Sequence, residues 1–354
     1  MSATRQRPFR RLLSTVACVA GAAVLVTGCT SNSPAASPSA GGSSGGGTAS
    51  SNNDSAGKQL TIGFSAPAAD HGWMAAITND AKSTAGKYPD VKLVVADGTN
   101  DVNTQISQVE TFINQKVDAI VLLPFDGAAL TPVAQKAMDA GIPVINVDRE
   151  FDRPFAARAT ILGDNYGMGL SAGTYICSRL KDKPNSVVAE IAGIDSLPLT
   201  QDRSRGFKDA LSACGLKVSN RVAAEFTVES GEEAASNLLQ AAPHIDAIWN
   251  HDDDQGVGVL AAIKNANRSE FFMVGGAGSA NAMRSIKADD SVLKATVIYP
   301  STQAADGIKL ARLIVQGKSM SDLASQGVPR RTVLDAPVVT KDNVDDYIDS
   351  AFES

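Results

Sequence analysis

Short runs of β-branched and aliphatic residues alternate with longer segments of helical periodicity along this chain of 354 residues, from Leu60 onward. This alternation is typical of βαβ units and predicts parallel sheets covered by helices. The first set of predicted elements has strands at Leu60–Phe64, Lys92–Ala96, Ala119–Leu123 and Val144–Val147, with helices at Trp73–Lys87, Asn103–Lys116 and Leu130–Ala140. The second set has strands at Thr160–Leu162, Val187–Ile191, Val222–Phe226, Ala247–Trp249 and Phe272–Val274, with helices at Gly167–Leu180, Asp202–Cys214, Glu232–Ala242 and Val257–Asn265. Two such sets predict an α/β fold of two similar doubly wound parallel-sheet lobes.

The first 28 residues have the features of an export signal. Four arginines in the first 11 residues precede an apolar run, Leu12–Val26, that is shorter than a typical transmembrane helix. The run ends in Val26-Thr27-Gly28-Cys29, which matches a lipobox. We therefore expect a lipoprotein signal peptide over 1–28, lipidation of Cys29 and an extracytoplasmic protein held to the outer face of the cell membrane by its lipid anchor. A signal peptide without lipid and a membrane anchor are the alternatives.

The segment 29–57 is predicted to be a disordered linker, because it is rich in Ser, Gly, Ala, Asn, Thr and Pro and has no apolar periodicity. A flexible linker of this length spans roughly 30 Å on average. The remaining residues are predicted to form an N-terminal lobe from 58–163 plus 300–334 and a C-terminal lobe from 164–299 plus 335–354. The chain would then cross between the lobes three times, which gives a three-strand hinge.

The net charge restricts which partners the chain can bind, and the cysteines indicate whether it can form a disulfide. The formal charge of −6 includes the four signal arginines, so the chain after residue 28 carries about −10 and does not suit nucleic acid or an anionic membrane surface. Two cysteines, Cys177 and Cys214, lie outside the leader and the lipobox. Right-handed crossovers place their helices side by side, which predicts a disulfide. Two buried thiols that never meet are the alternative.

Polar and glycine-rich loops follow the predicted strands, and in open parallel sheets ligands bind outside these carboxyl ends. The loops supply carboxylates, amides and one indole, with little apolar bulk. Such groups exchange many hydrogen bonds with a small neutral molecule that carries several hydroxyls, while Trp73 offers a flat face to its C–H side.

The chain resembles the sugar-binding proteins of ABC transporters, in the ribose-binding group of type I periplasmic binding proteins. The motifs that carry the resemblance are IPVINVDRE (142–150), LGDNYGMGLSAG (162–173), DRSRGF (202–207) and IWNHDDDQGVGVLAAI (248–263). The resemblance implies a ligand held between the lobes, domain closure on binding, an ABC permease as partner, a monomer, and no cofactor or metal. It implies ligand contacts from the residues at His71, Trp73, Met74, Asp148, Arg149, Gln201, Asp252, Asp253, Tyr299 and Gln303.

One departure from that group bears on the ligand. An aromatic residue and an aspartate often follow Val-Gly in the group, whereas this chain has Val274-Gly275-Gly276-Ala277. A stacking ring and an acceptor for the anomeric hydroxyl are therefore missing. The sequence favours a monosaccharide other than ribose, or an acyclic or cyclic polyol.

Several patterns have competing interpretations. The run His251 to Asp254 is not spaced as a metal site, and we expect Asp254 to cap a helix while Asp252 binds ligand. Arg203 is interpreted as structural. No motif of a hydrolase, zinc protease or P-loop enzyme occurs, so an enzyme is not expected. A receptor component that presents a ligand to a membrane sensor is the alternative function, since it needs the same closing cleft.

Overall fold

The computed structural model describes residues 53–321 and 323–354. The strands of its first sheet are β1 (Leu60–Ser65), β2 (Val91–Val95), β3 (Ala119–Leu122), β4 (Val144–Val147), β5 (Ala159–Gly163) and β11 (Arg331–Leu334). Their order is β11-β5-β4-β3-β1-β2, and every pair is parallel. All four residues of β3 are buried, as expected for a central parallel strand with helices on both faces.

The second sheet repeats this plan. Its strands are β6 (Val188–Ala192), β7 (Val218–Ala223), β8 (Ala247–Asn250), β9 (Phe272–Ala277), β10 (Leu293–Ile298) and β12 (Val338–Thr340). Their order is β12-β10-β9-β8-β6-β7, and the pair of β10 with β12 is antiparallel while the others are parallel.

Helices connect the strands of both sheets. They are α1 (Gly72–Gly86), α2 (Val102–Gln115), α3 (Gly127–Asp139), α4 (Asn165–Arg179), α5 (Pro198–Ala213), α6 (Val228–Ala241), α7 (Asp253–Asn265), α8 (Ala280–Ala288) and α9 (Gln303–Val315), with short 3₁₀ helices at Pro154–Ala156, Val344–Asp346 and Ile348–Ser350. Five of them begin with a side chain that accepts a hydrogen bond from the first turn. These caps are Asp101, Asp126, Asp164, Asp252 and Ser279. None of the helices in the described ranges is long and apolar enough to cross a membrane.

The chain passes between the two sheets three times, after β5, after β10 and after β11. The predicted fold class, two α/β lobes joined by a three-strand hinge, is confirmed. Within each lobe the carboxyl ends of the parallel strands meet at one edge, and these two edges face the space between the lobes.

The structure corrects the position of several predicted elements. The strand predicted to open the second set is β5, which pairs with β4 in the first sheet. The strand predicted at Val222–Phe226 is β7, Val218–Ala223, so Phe226 lies beyond its end. Helix α5 begins at Pro198 rather than Asp202, because proline suits the first helical turn. Strands β10, β11 and β12 and helices α8 and α9 have no counterpart among the predicted elements.

Residues 53–57 are held against the first lobe, although composition assigned them to the linker. Arg312 donates to the Asn53 and Ser55 carbonyl oxygens, and the Gly57 N–H donates to Asp90 at 2.7 Å. Arg312 and Asp90 themselves form a buried ion pair at 2.9 Å. The predicted signal peptide, Cys29 and most of the predicted linker lie outside the described residues.

Candidate ligand-binding cleft

A small cavity lies between the lobes, at the carboxyl ends of the strands. Its lining residues are His71, Trp73, Met74, Asp148, Arg149, Leu199, Arg203, Phe226, Asp252 and Tyr299. Its volume is about 20 Å³, which is room for about one water molecule. The lobes and their side chains therefore close tightly around the site in this conformation.

Asp148 follows β4 and has a positive φ of 63°. Non-glycine residues rarely adopt this left-handed conformation, and aspartate tolerates it better than most. The backbone is fixed there because the Asp148 N–H donates to the Ile161 carbonyl at 2.9 Å. Asp148 is buried and lines the cavity, where Oδ1 accepts a hydrogen bond from the Tyr299 hydroxyl at 2.5 Å.

Arg149 lies beside this carboxylate. Its Nη1 donates to the Phe125 carbonyl at 2.6 Å, while its Nε is 3.7 Å from Asp148 Oδ2 and has no hydrogen-bond partner. Burial lowers the pKa of Arg149, and the Asp148 carboxylate opposes that effect. A buried guanidinium with an unused donor is suited to a hydroxyl or carbonyl oxygen of a ligand.

Arg203 supplies a second guanidinium from the other lobe. Its Nε donates to Asn165 Oδ1 at 2.9 Å and its Nη1 donates to the His251 carbonyl at 3.2 Å. Its guanidinium lies over the rings of Tyr299, at 4.5 Å, and Phe226, at 5.8 Å. Arg203, which was predicted to be structural, also lines the cavity.

Helix α5 presents one face to the cavity. Leu199 and Arg203 are four residues apart in this helix, so they share that face, and both line the cavity. Gln201 lies on another face, is exposed, and donates to the Asp195 carbonyl. The structure therefore places Gln201 outside the cavity.

His71 and Phe226 close one side of the cavity. The Nδ1 atom of His71 is 2.6 Å from Asp70 Oδ1, and its ring lies 6.1 Å from that of Phe226. Burial lowers the pKa of His71, but Asp70, Asp252 and Asp254 together raise it above its ordinary value. Phe226 has no counterpart among the predicted site residues, because its loop was read as the end of a strand.

The helix cap predicted for Asp254 is supplied by Asp252. Asp252 caps α7, with Oδ1 accepting from the N–H groups of Asp254 and Gln255 at 2.9 and 3.2 Å, and it also lines the cavity. Burial, together with the Asp254 charge, raises the pKa of Asp252. Asp254 Oδ2 accepts from the Trp73 N–H of the other lobe at 2.9 Å. Asp254 therefore joins the lobes, and Asp252 combines capping with a place in the cavity.

Asp253 does not line the cavity. Its carboxylate accepts hydrogen bonds from the N–H groups of Gly276, Gly278 and Ser279 at 3.0, 2.9 and 2.8 Å, and from the Thr296 hydroxyl. The glycine-rich turn after β9 thus wraps an internal carboxylate. Both oxygens of Asp253 thus accept hydrogen bonds within the second lobe, which favours a structural role over the predicted ligand contact.

Two further predicted ligand contacts, Gln303 and Met74, are buried within the protein. Gln303 is fully buried at the start of α9, donates to the Pro300 carbonyl at 3.0 Å, and does not line the cavity. Met74 reaches the cavity wall, but it is 1% exposed and belongs to the apolar core. The predicted residues that the structure brings together are His71, Trp73, Met74, Asp148, Arg149, Asp252 and Tyr299.

A wider groove adjoins the cavity on the side of the hinge, with a volume of about 640 Å³. It shares Asp148, Arg149 and Leu199 with the cavity and runs between Glu150 of the first lobe and Asp202 of the second.

Cys177 and Cys214 lie away from the cleft, on α4 and after α5. They form a disulfide between residues that are 37 positions apart in the sequence.

A model of the periplasmic binding protein domain matches residues 62–319. The chain belongs to the periplasmic binding protein family. It is 32% identical over 244 residues to the D-ribose/D-allose-binding protein of Pseudomonas aeruginosa, an alignment that covers 67% of this chain and 75% of that protein. It is 28% identical over 271 residues to the xylitol-binding protein of Mycolicibacterium smegmatis, covering 75% and 73% of the two chains. The crystal structure of a galactofuranose binding protein superimposes with a TM-score of 0.74 at 26% identity, covering 82% and 97%.

Membership fixes the general role of the chain. Its relatives are solute-binding proteins and not enzymes; they include the ribose import binding protein of Bacillus subtilis and an ABC transporter solute binding protein with bound myo-inositol. Residues of both lobes line the cavity in the cleft, so the cleft is the candidate ligand site. In residues 53–321 and 323–354, no three His, Cys, Asp or Glu side chains are grouped as a metal site requires.

Proposed function

We propose that this chain is the lipid-anchored, extracytoplasmic binding component of a sugar ABC importer, and that it binds a small neutral monosaccharide or polyol between its lobes. The observation that carries the proposal is the cavity wall, to which one lobe contributes Trp73, Asp148 and Arg149 and the other contributes Arg203 and Asp252. Guanidinium donors, carboxylate acceptors and an indole face are the groups that recognise a polyhydroxylated molecule. Relatives named for ribose, allose and xylitol support the same ligand class.

Domain closure is the proposed mechanism. A ligand that contacts both lobes binds the closed form more tightly than the open form, and so shifts the population toward closure. The permease distinguishes the open and closed forms by the relative positions of the lobes. The lipid on Cys29 keeps a monomeric protein near the membrane, so that the permease meets it at high local concentration.

A thermal-shift screen tests the ligand class. The mature protein is titrated with D-ribose, D-allose, D-galactose, xylitol and myo-inositol, and a compound at 100 times its dissociation constant is expected to add about 2.7 kcal/mol of stability. Calorimetry then gives the affinity of any compound that stabilises the protein. If no sugar or polyol of the screen raises the melting temperature, the proposed ligand class is wrong.

A matched pair of variants places the ligand. Asp148→Ala is expected to weaken binding by about 1.5–3 kcal/mol, because it removes a charged acceptor from the cavity. Asp182→Ala makes the same change on the exposed loop after α4 and is expected to bind normally. Equal affinity of the two variants would show that the ligand does not bind in the cleft.

The lipid anchor is tested separately. Cys29→Ser is expected to release the protein from the membrane fraction, and retention of that variant would contradict lipidation.

A further inference from the structure

Tyr299 occupies the centre of the cleft, at the second passage of the chain between the lobes. Its side chain is 3% exposed. Its ring lies 5.5 Å from the ring of Trp73 in the first lobe, and the Arg203 guanidinium of the second lobe lies 4.5 Å from its centre. The tyrosine ring therefore contacts the indole face and one of the two guanidinium groups that line the cavity.

The polar atoms of Tyr299 are also engaged with cleft residues. Its hydroxyl donates to Asp148 Oδ1 at 2.5 Å and accepts from Asn165 Nδ2 at 3.1 Å. Its carbonyl accepts from Trp73 Nε1 at 3.0 Å. Burial and the Asp148 carboxylate raise the pKa of Tyr299, so the hydroxyl stays a donor at neutral pH. The tyrosine thus satisfies Asp148 from inside the protein.

The fold provides a specific seat for this ring. Gly163, at the end of β5, lies directly under it, and a Cβ atom at that position would be only 2.1 Å from Tyr299 Cε2. Any larger residue at 163 would push the ring out of its place. With the ring seated, the cavity keeps about 20 Å³, far below the several hundred Å³ of an ordinary small-molecule site.

We propose that Tyr299 is an internal occupant of the ligand cavity, which a ligand must displace from Asp148 in order to bind. The inference rests on the proposed function and deepens it. Tyr299 offers a hydroxyl donor to Asp148, an apolar face to Trp73 and a π-face to Arg203, and a polyhydroxylated molecule with a C–H face offers equivalents of the first two. The tyrosine also bridges the lobes, because Trp73 and Asp148 belong to one lobe while Asn165 and Arg203 belong to the other.

Whether Tyr299→Phe strengthens or weakens ligand binding decides if Tyr299 competes with the ligand or contacts it directly. Tyr299→Phe keeps the ring and removes the hydroxyl that occupies Asp148, so ligand binding is expected to tighten by roughly ten- to a hundredfold. Tyr175→Phe is the control, because it makes the same change at a residue that lines neither the cavity nor the groove and packs against Phe272. Affinities are measured by calorimetry for D-ribose, D-allose, xylitol and myo-inositol, with melting temperatures recorded for both variants.

A Tyr299→Phe protein that binds with unchanged or weaker affinity, while its melting temperature shows that it is folded, overturns the proposal. If none of the four compounds binds any of the proteins, the proposed ligand class fails, and the role of Tyr299 is judged without ligand. In that case Tyr299→Ala is expected to increase the radius of gyration in X-ray scattering, because the bridge between the lobes is removed. An unchanged radius would overturn the internal-occupant role independently of any ligand.

Discussion

Substituting Asp253 separates the structural account of the site from the one that motif matching gives. Motif matching assigns Asp253 to the ligand, whereas the structure buries its carboxylate against the turn after β9. The two accounts predict opposite results for Asp253→Ala. A ligand contact would cost affinity and spare the fold, while an internal acceptor would cost stability and spare the affinity of the folded protein.

The size of the effect follows from the bonds that are lost. Asp253→Ala leaves the N–H groups of Gly276, Gly278 and Ser279 without their acceptor. An unsatisfied buried donor costs about 1–3 kcal/mol, so three of them cost about 3 kcal/mol or more. For a protein of this size each kcal/mol shifts the melting temperature by roughly 2–4 °C, which predicts a fall of roughly 6 °C or more.

Asp252→Ala is the matched control, since it makes the same change one residue earlier. Asp252 caps α7, and losing a helix cap costs about 1 kcal/mol. Because Asp252 also lines the cavity, we expect this variant to lose affinity for the ligand found in the screen by tenfold or more, whereas Asp253→Ala stays within about threefold. Calorimetric unfolding and titration, both run well below the lower melting temperature, measure the two effects. Asp253→Ala with a normal melting temperature and lost affinity would refute the structural account.

Three more outcomes are expected. Trp73→Ala should weaken ligand binding and abolish the ligand-induced change in tryptophan fluorescence; a lowered melting temperature with intact affinity would assign Trp73 to the core alone. Mass spectrometry of unreduced protein should find one linked peptide pair from Cys177 and Cys214, and two free thiols would contradict the bond. Burial raises the pKa of Asp90, but its bonds from Arg312 and neighbouring donors outweigh this and hold the pKa well below the ordinary 3.8. Because the pKa of Asp90 is lower in the folded state than in the unfolded state, the ionised carboxylate stabilises the fold above the unfolded pKa, and this stabilisation is lost as the pH falls. The free energy of unfolding should therefore fall more steeply between about pH 5 and pH 3 in the wild type than in Asp90→Asn. Equal slopes would contradict the ion pair.

The fold could be predicted from local patterns because alternation of strand and helix leaves few topologies. Right-handed crossovers and the repeated set of elements are enough to give two parallel-sheet lobes. The order of elements grouped the strand at Thr160–Leu162 with the second set, whereas the predicted lobe boundary at residue 163 grouped it with the first, and in the structure it pairs with β4. The late strands β11 and β12 were not predicted because β11 alternates with exposed residues and β12 has three residues, so neither has a long apolar run.

The site was partly predictable for a similar reason. Asp148 and Arg149 follow a buried strand directly, and the end of a strand fixes where the next residues lie. Gln201 was named because the resemblance maps a ligand contact of the family onto it. In α5, Arg203 lines the cavity while Gln201 is exposed, and which side chain of a helix faces the other lobe depends on packing that the local sequence does not contain. Tyr299 was matched to a hinge position correctly, but its contacts with Asp148 and Trp73 depend on packing across both lobes, which no local pattern contains.

The three consecutive aspartates show how one short run can serve three purposes. Asp252 has an extended backbone as the cap of α7, while Asp253 and Asp254 are the first two helical residues and point about 100° apart around the axis. The first carboxylate therefore lines the cavity, the second is bound by the turn after β9, and the third accepts the Trp73 N–H of the other lobe. Since Trp73 is itself a proposed ligand contact, Asp254 couples the position of that indole to the closed arrangement of the lobes. A ligand that stacks on Trp73 and bonds to Asp252 would consequently favour the same closed form that Asp254 stabilises.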